Sequence, residues 1–164
     1  MSAADSEYRD LVVDLSKELI ASTEPDEVDM FDDLAVEYFQ DPTPPDISAS
    51  GSDDALGFGL NELMVAASPA ALAMVSVVMN YVVKVALDTF KDEGTALIKQ
   101  KVKEWFQTRT EKSQPSSQPA SRLILPGSPE SKEVYELAVR EAKRFGMSDQ
   151  KAVQMADDLL RSRL

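Results

Sequence analysis

LMVAASPAALAMVSVVMNYVV, residues 63–83, runs for 21 positions without a charged side chain. A stretch that long matches the roughly 20 apolar residues that carry a helix across a bilayer. Its internal punctuation argues against that use. Ser68 and Pro69 read as an N-cap and first helical position, since a serine hydroxyl accepts an orphan N–H and proline has none to leave unpaired. The continuous helix then covers residues 69–83, about 22 Å against a hydrocarbon core of about 30 Å. A longer span would need Lys84 to snorkel so that it reached Leu87, and Ser76 and Asn80 raise the cost of insertion. The adopted reading is a central helix buried on all sides by its own chain or by copies of itself. The alternative is a membrane span over residues 63–87. In both, Leu72, Val75, Met79, Val82 and Val83 carry the contact.

Beyond Lys84 the apolar positions become one-sided. Leu87, Phe90, Gly94, Leu97, Ile98, Val102, Trp105 and Phe106 share a face, and Lys91, Lys99, Lys101 and Lys103 mark the other. This predicts a continuation of the same helix, kinked or closely approached at Gly94, which lowers helix propensity by about 1 kcal/mol. Phe90, Trp105 and Phe106 extend the interaction face, or in the membrane alternative form an interfacial flank.

Towards the amino terminus, Tyr8, Leu11, Val12, Leu15 and Leu19 recur at helical steps within residues 5–22. Val28, Phe31, Leu34, Ala35, Tyr38 and Phe39 do so within residues 25–40. Pro-rich and Ser-rich composition marks residues 41–54 and 113–129 as linkers. Past the second linker, Val134, Leu137, Ala138 and Phe145 form one stripe, and Ala152, Val153, Ala156, Leu159 and Leu160 another. Gly146 suits the position after a helix end, and Ser148 suits a cap. The fold class is therefore all-α. Residues 1–112 make a helical bundle around the apolar central helix, and residues 113–129 tether a carboxy-terminal αα-hairpin, residues 130–164. A hairpin of this size needs a surface to dock on, and Val134, Leu137, Phe145, Val153, Leu159 and Leu160 are the docking residues. Arg122, in the linker, is the expected first site of trypsin cleavage.

Charge and composition narrow the function. Of 29 acidic and 17 basic side chains, residues 1–62 hold 17 acids and only 2 bases, so the net charge of −12 originates there. Such a surface repels nucleic acid and anionic lipid and attracts basic partners. The chain contains no Cys and no His, which excludes disulfides, thiol nucleophiles, a histidine base and the usual zinc and haem ligands. Gly57-Phe58-Gly59 follows no strand and is not a phosphate loop. DEVDMFDD, residues 26–33, lacks the glycine of a calcium loop, and its helical phase scatters the carboxylates. No cofactor is implied, and the expectation is a non-enzymatic adaptor that binds protein partners, with self-association among its modes. Residues 1–5 carry no basic n-region, so the expected location is cytoplasmic, with inner-membrane association as the alternative.

The order of parts also resembles a group of small, uncharacterised, all-helical bacterial proteins of the cyanobacterial type. They share an acidic amphipathic start, a Leu-Gly-Phe-Gly segment (here residues 56–59), and a proline-capped apolar helix with a Lys-rich aromatic end. A linker and a tail like AKRFGMSDQKAVQMADDLL, residues 142–160, complete the likeness. The resemblance implies an accessory role beside proteases and effectors in conflict systems, and it brings no catalytic residue.

Overall fold

The computed structural model describes residues 3–44, 67–107, 124 and 127–160. Among them are six α-helices and no strand: α1 Ala3–Thr23, α2 Val28–Gln40, α3 Ala67–Thr89, α4 Thr95–Gln107, α5 Pro129–Arg144 and α6 Asp149–Leu160. A single 3₁₀ turn, Pro25–Glu27, joins α1 to α2. The all-α class read from periodicity is the class observed.

Helix α3 is the hub and touches all five others, most extensively α5 and then α1. Ala70, Ala71, Leu72, Ala73, Met74 and Val75 are consecutive and all buried. Six successive residues exceed one 3.6-residue turn, so this part of the helix leaves no face to solvent. Its alanines let neighbours approach, while Leu72, Met74 and Val75 fill the space between them. Each fully buried large side chain contributes on the order of 1.5–3 kcal/mol relative to exposure. Past Ser76 the pattern changes. Val78, Met79, Val82 and Ala86 stay buried, and Asn80, Lys84, Leu87 and Asp88 form an exposed stripe. The same helix is enclosed at one end and amphipathic at the other.

The start of α3 corrects the expectation of a Ser68 cap. The helix includes Ala67 and Ser68, and its cap comes from elsewhere in the chain. Glu27 accepts from the Ala67 N–H at 2.8 Å, from the Ser68 N–H at 2.9 Å and from the Ser68 hydroxyl at 2.7 Å. Pro69 brings no N–H to the first turn. A carboxylate there also meets the positive end of the helix dipole, and α3 has no acid of its own in its first turn.

The expected continuous helix from residue 69 towards 107 is instead two. α3 ends at Thr89, residues 90–93 turn, and the Gly94 carbonyl accepts from the Leu97 and Ile98 N–H groups at the start of α4. Asp92, Gly94 and Thr95 are weak helix formers. Asp92 and Glu93 also lie just ahead of α4, where its dipole favours negative charge. No neighbour crowds Gly94, so its role is at the break and not in close helix packing. The reversal folds α4 back on α3, placing Ile98, Val102, Trp105 and Phe106 in the core. Leu87 and Leu97 are left exposed.

The αα-hairpin forms as its sequence signals require. The Ser128 hydroxyl accepts from the Ser131 N–H at 3.2 Å, with Pro129 in the first turn of α5. At the other end Gly146 has φ 88°, while Gly146 N–H donates to the Lys143 carbonyl and Met147 N–H to that of Ala142. This paired pattern closes the helix and turns the chain into α6. Ser131, Val134, Ala138 and Ala142 are buried along α5, and α5 makes the most extensive packing partner of α3. The second linker, expected to run to residue 129, gives way to α5 at Pro129, and within it Ile124 is 1% exposed and belongs to the core. The linker is thus anchored to the bundle at that point.

Candidate functional site

The outer side of the hairpin carries a groove of about 290 Å³ lined by Tyr135, Glu136, Val139, Arg140, Lys143 and Val153. Its origin lies in the helix phases. With Val134, Ala138 and Ala142 turned inward, Tyr135, Val139 and Lys143 fall on the adjacent arc of α5, and Arg140 lies on its solvent side. α6 packs through Ala152, Met155, Ala156, Leu159 and Leu160, spaced by three and four residues. Val153 is thereby turned out, 40% exposed, and forms the second wall.

An apolar strip of Tyr135, Val139 and Val153 thus runs beside two cations. Lys143 pairs with Asp149 at 2.6 Å. Glu136 faces Lys132 at 3.8 Å. Arg140 is exposed and makes no ion pair among the described residues. Burial, reinforced by a hydrogen bond to Asp157 and by its charge, pushes the Tyr135 phenol above its ordinary pKa. The phenol therefore stays protonated and serves as a donor with an apolar ring, a common arrangement at protein interfaces.

Opposite in character is the outer face of α2. Phe31 and Ala35 turn inward, and Asp29, Met30, Asp33, Val36 and Glu37 face solvent. Met30 and Val36 are 57% and 53% exposed, the highest values among the large apolar side chains described. Sequence periodicity placed neither residue in the core stripe.

The residues singled out from sequence separate into two groups. Leu72, Val75, Met79, Val82, Trp105 and Phe106 are buried inside this single chain, and Val83 and Phe90 are half-buried. Trp105 and Phe106 meet edge to face at 4.7 Å, and Lys101 lies 5.8 Å from the Phe90 ring centre. Of the docking residues, Val134, Phe145, Leu159 and Leu160 are buried as expected of a docked hairpin, and Leu137 is half-buried. Val153 is a correction: Met155 occupies the inward position assigned to it. The signal was present, because residues 152, 155, 156, 159 and 160 keep the three-and-four spacing that Val153 breaks. Arg122 and residues 56–59 lie outside the described residues.

The DEVDMFDD carboxylates are dispersed, with Glu27 accepting from the first N–H groups of α3 and Asp32 bound by Lys17 at 2.8 Å. Among the described residues no three acids converge on a metal-sized site. Comparison with protein-family models, curated proteins and solved structures finds no match.

Proposed function

We propose that this chain is a non-enzymatic interaction protein, an adaptor that works through exposed helix faces presented by a rigid bundle. The observation that carries the reading is the hairpin groove, where apolar side chains and an Arg140 with no ion pair among the described residues remain at the surface of an otherwise packed pair of helices. A patch that mixes apolar side chains with charges of both signs suits a protein partner. The likeness to bacterial accessory proteins agrees with this reading, and a cytoplasmic location goes with it.

The second reading is a membrane-associated effector, favoured by α3 itself. At 23 residues and a mean hydropathy of 1.9 over its most apolar window, α3 is long and apolar enough to cross a bilayer. Against it, 56% of that window is buried inside the chain. Insertion would separate α3 from α1 and α5 and leave their apolar stripes without cover. Fractionation distinguishes the two. Recovery in the high-speed supernatant without detergent is the adaptor's outcome, and retention in membranes after a carbonate wash overturns it.

A further inference from the structure

We infer that the turn between α1 and α2 is a coupling element. It holds the start of α3 and the first turn of α6 at once, so the closure of α3 sets the position of the groove wall that carries Val153. The inference rests on the adaptor reading and names the regulation of the same site.

Two carboxylates of this one turn reach two different helices. Glu27 accepts from the Ala67 and Ser68 N–H groups and from the Ser68 hydroxyl, which is fully buried. Three residues earlier, Glu24 pairs with Lys151 of α6 at 2.5 Å. The backbone between the two acids is stiff. Glu24 N–H donates to the Ile20 carbonyl at 2.8 Å, and Glu27 N–H donates to the Glu24 carbonyl at 3.0 Å. Pro25 fixes a further backbone angle inside the turn. Movement of Glu27 away from α3 therefore carries Glu24 with it.

On α6 this contact is placed to act on the groove. Lys151 and Val153 are two residues apart and so point to nearly opposite sides of the helix. Ala152, between them, is buried. The first inward side chain of α6 is thus a small one, which leaves the rotation of this end to be held from outside. Glu24 holds it through Lys151, and Lys143 of α5 holds it through Asp149. Releasing the Glu24 side lets α6 turn against α5. Val153, one wall of the groove, then moves relative to Tyr135 and Val139 on the other.

Amide hydrogen exchange on the full chain tests this. Glu27→Ala should speed exchange at residues 71–73 of α3 and, through the turn, about five-fold at residues 152–155 of α6, the lower end of coupling between separate sites. Coupling is reciprocal, so Lys151→Met should speed exchange at residues 71–73 by a similar factor. Lys151 is exposed, and Glu27→Gln keeps an acceptor, so these two variants carry the test if Glu27→Ala fails to fold by circular dichroism. The decisive arm combines the substitutions. In the Lys151→Met background, Glu27→Ala or Glu27→Gln should add nothing at residues 152–155, because the route is already cut. The Val139 and Val153 methyl resonances should shift in Lys151→Met. Leu72→Ala weakens the bundle without touching the turn and should not single out residues 152–155. Additive effects, local effects alone, unmoved methyl resonances or the same α6 response to Leu72→Ala overturn the inference. These measurements use the chain without a partner, so their failure leaves the adaptor reading to the fractionation.

Discussion

Helices α3 and α5 form the most extensive helix pair in the molecule, and they bury themselves by opposite rules. α3 is apolar around its whole circumference for its first turns and contributes 12 buried residues. α5 buries one narrow stripe of four, three of them Ser or Ala, and gives its remaining surface to charge and to the groove. An all-round apolar helix has no preferred face, so its neighbours determine its orientation. A one-sided helix carries its orientation in its own sequence, and its outer arc is free to bind. Stability should therefore concentrate in α3, and recognition on the hairpin.

The largest test of that contrast is a cavity in α3. Leu72→Ala removes a fully buried side chain and should cost about 3 kcal/mol in urea denaturation. A cost below about 1 kcal/mol would mean that α3 is not the organising core. Next in size is the cap of α3. Glu27→Ala leaves two backbone N–H groups and the Ser68 hydroxyl without their acceptor, and about 2 kcal/mol should be lost. Glu27→Gln should retain part of that loss, because the amide oxygen still accepts.

A gain is expected at Ser16. Its hydroxyl is fully buried on α1 with no hydrogen-bond partner among the described residues, so Ser16→Ala should stabilise by about 1 kcal/mol. Unchanged or lower stability would show that the hydroxyl is satisfied in solution.

The α3–α5 contact supplies a pH-dependent test. Tyr81 donates to Glu133 at 2.8 Å, and partial burial, then that hydrogen bond and the charges of Glu133 and Glu130, push its pKa from 10.0 to about 12. The folded state holds this proton more tightly than the unfolded state. The stabilisation is therefore complete below pH 10 and is lost as pH rises from 10 towards about 12. Tyr81→Phe should flatten that part of the pH–stability curve, measured by thermal denaturation. The smallest expected effect is at the groove. Val153→Ala should alter stability by no more than about 0.5 kcal/mol, although Val153 was assigned to the core from sequence.

That misassignment shows where sequence reasoning stops. Val153 and Met155 are both apolar, and either extends the stripe begun at Ala152 when residue type alone is weighed. Which one turns inward depends on the rotation of α6 against α5. Leu137, next to the buried Ala138, was displaced by the same competition, because a small residue permits the close approach of α5 to α3. The break at residues 90–93 was partly visible in Gly94. Its meaning as a reversal depended on Trp105 and Phe106 finding space against α3. The Glu27 cap left no readable signal. Its partners lie 40 and 41 residues away, and an acid near a helix start already has a local explanation.

Periodicity, proline placement and caps are properties of neighbouring residues, so they were sufficient for the all-α class, for the hairpin with its turn at Gly146, and for an enclosed helix in the middle. Three matters depended on contacts between distant segments: the carboxylate that closes α3, the reversal that lays α4 on it, and the arcs of α2 and α5–α6 left at the surface. Local energies specify a helix and its ends. Only the packing of six helices around one another determines how each is rotated, and that rotation separates the core from the exposed faces.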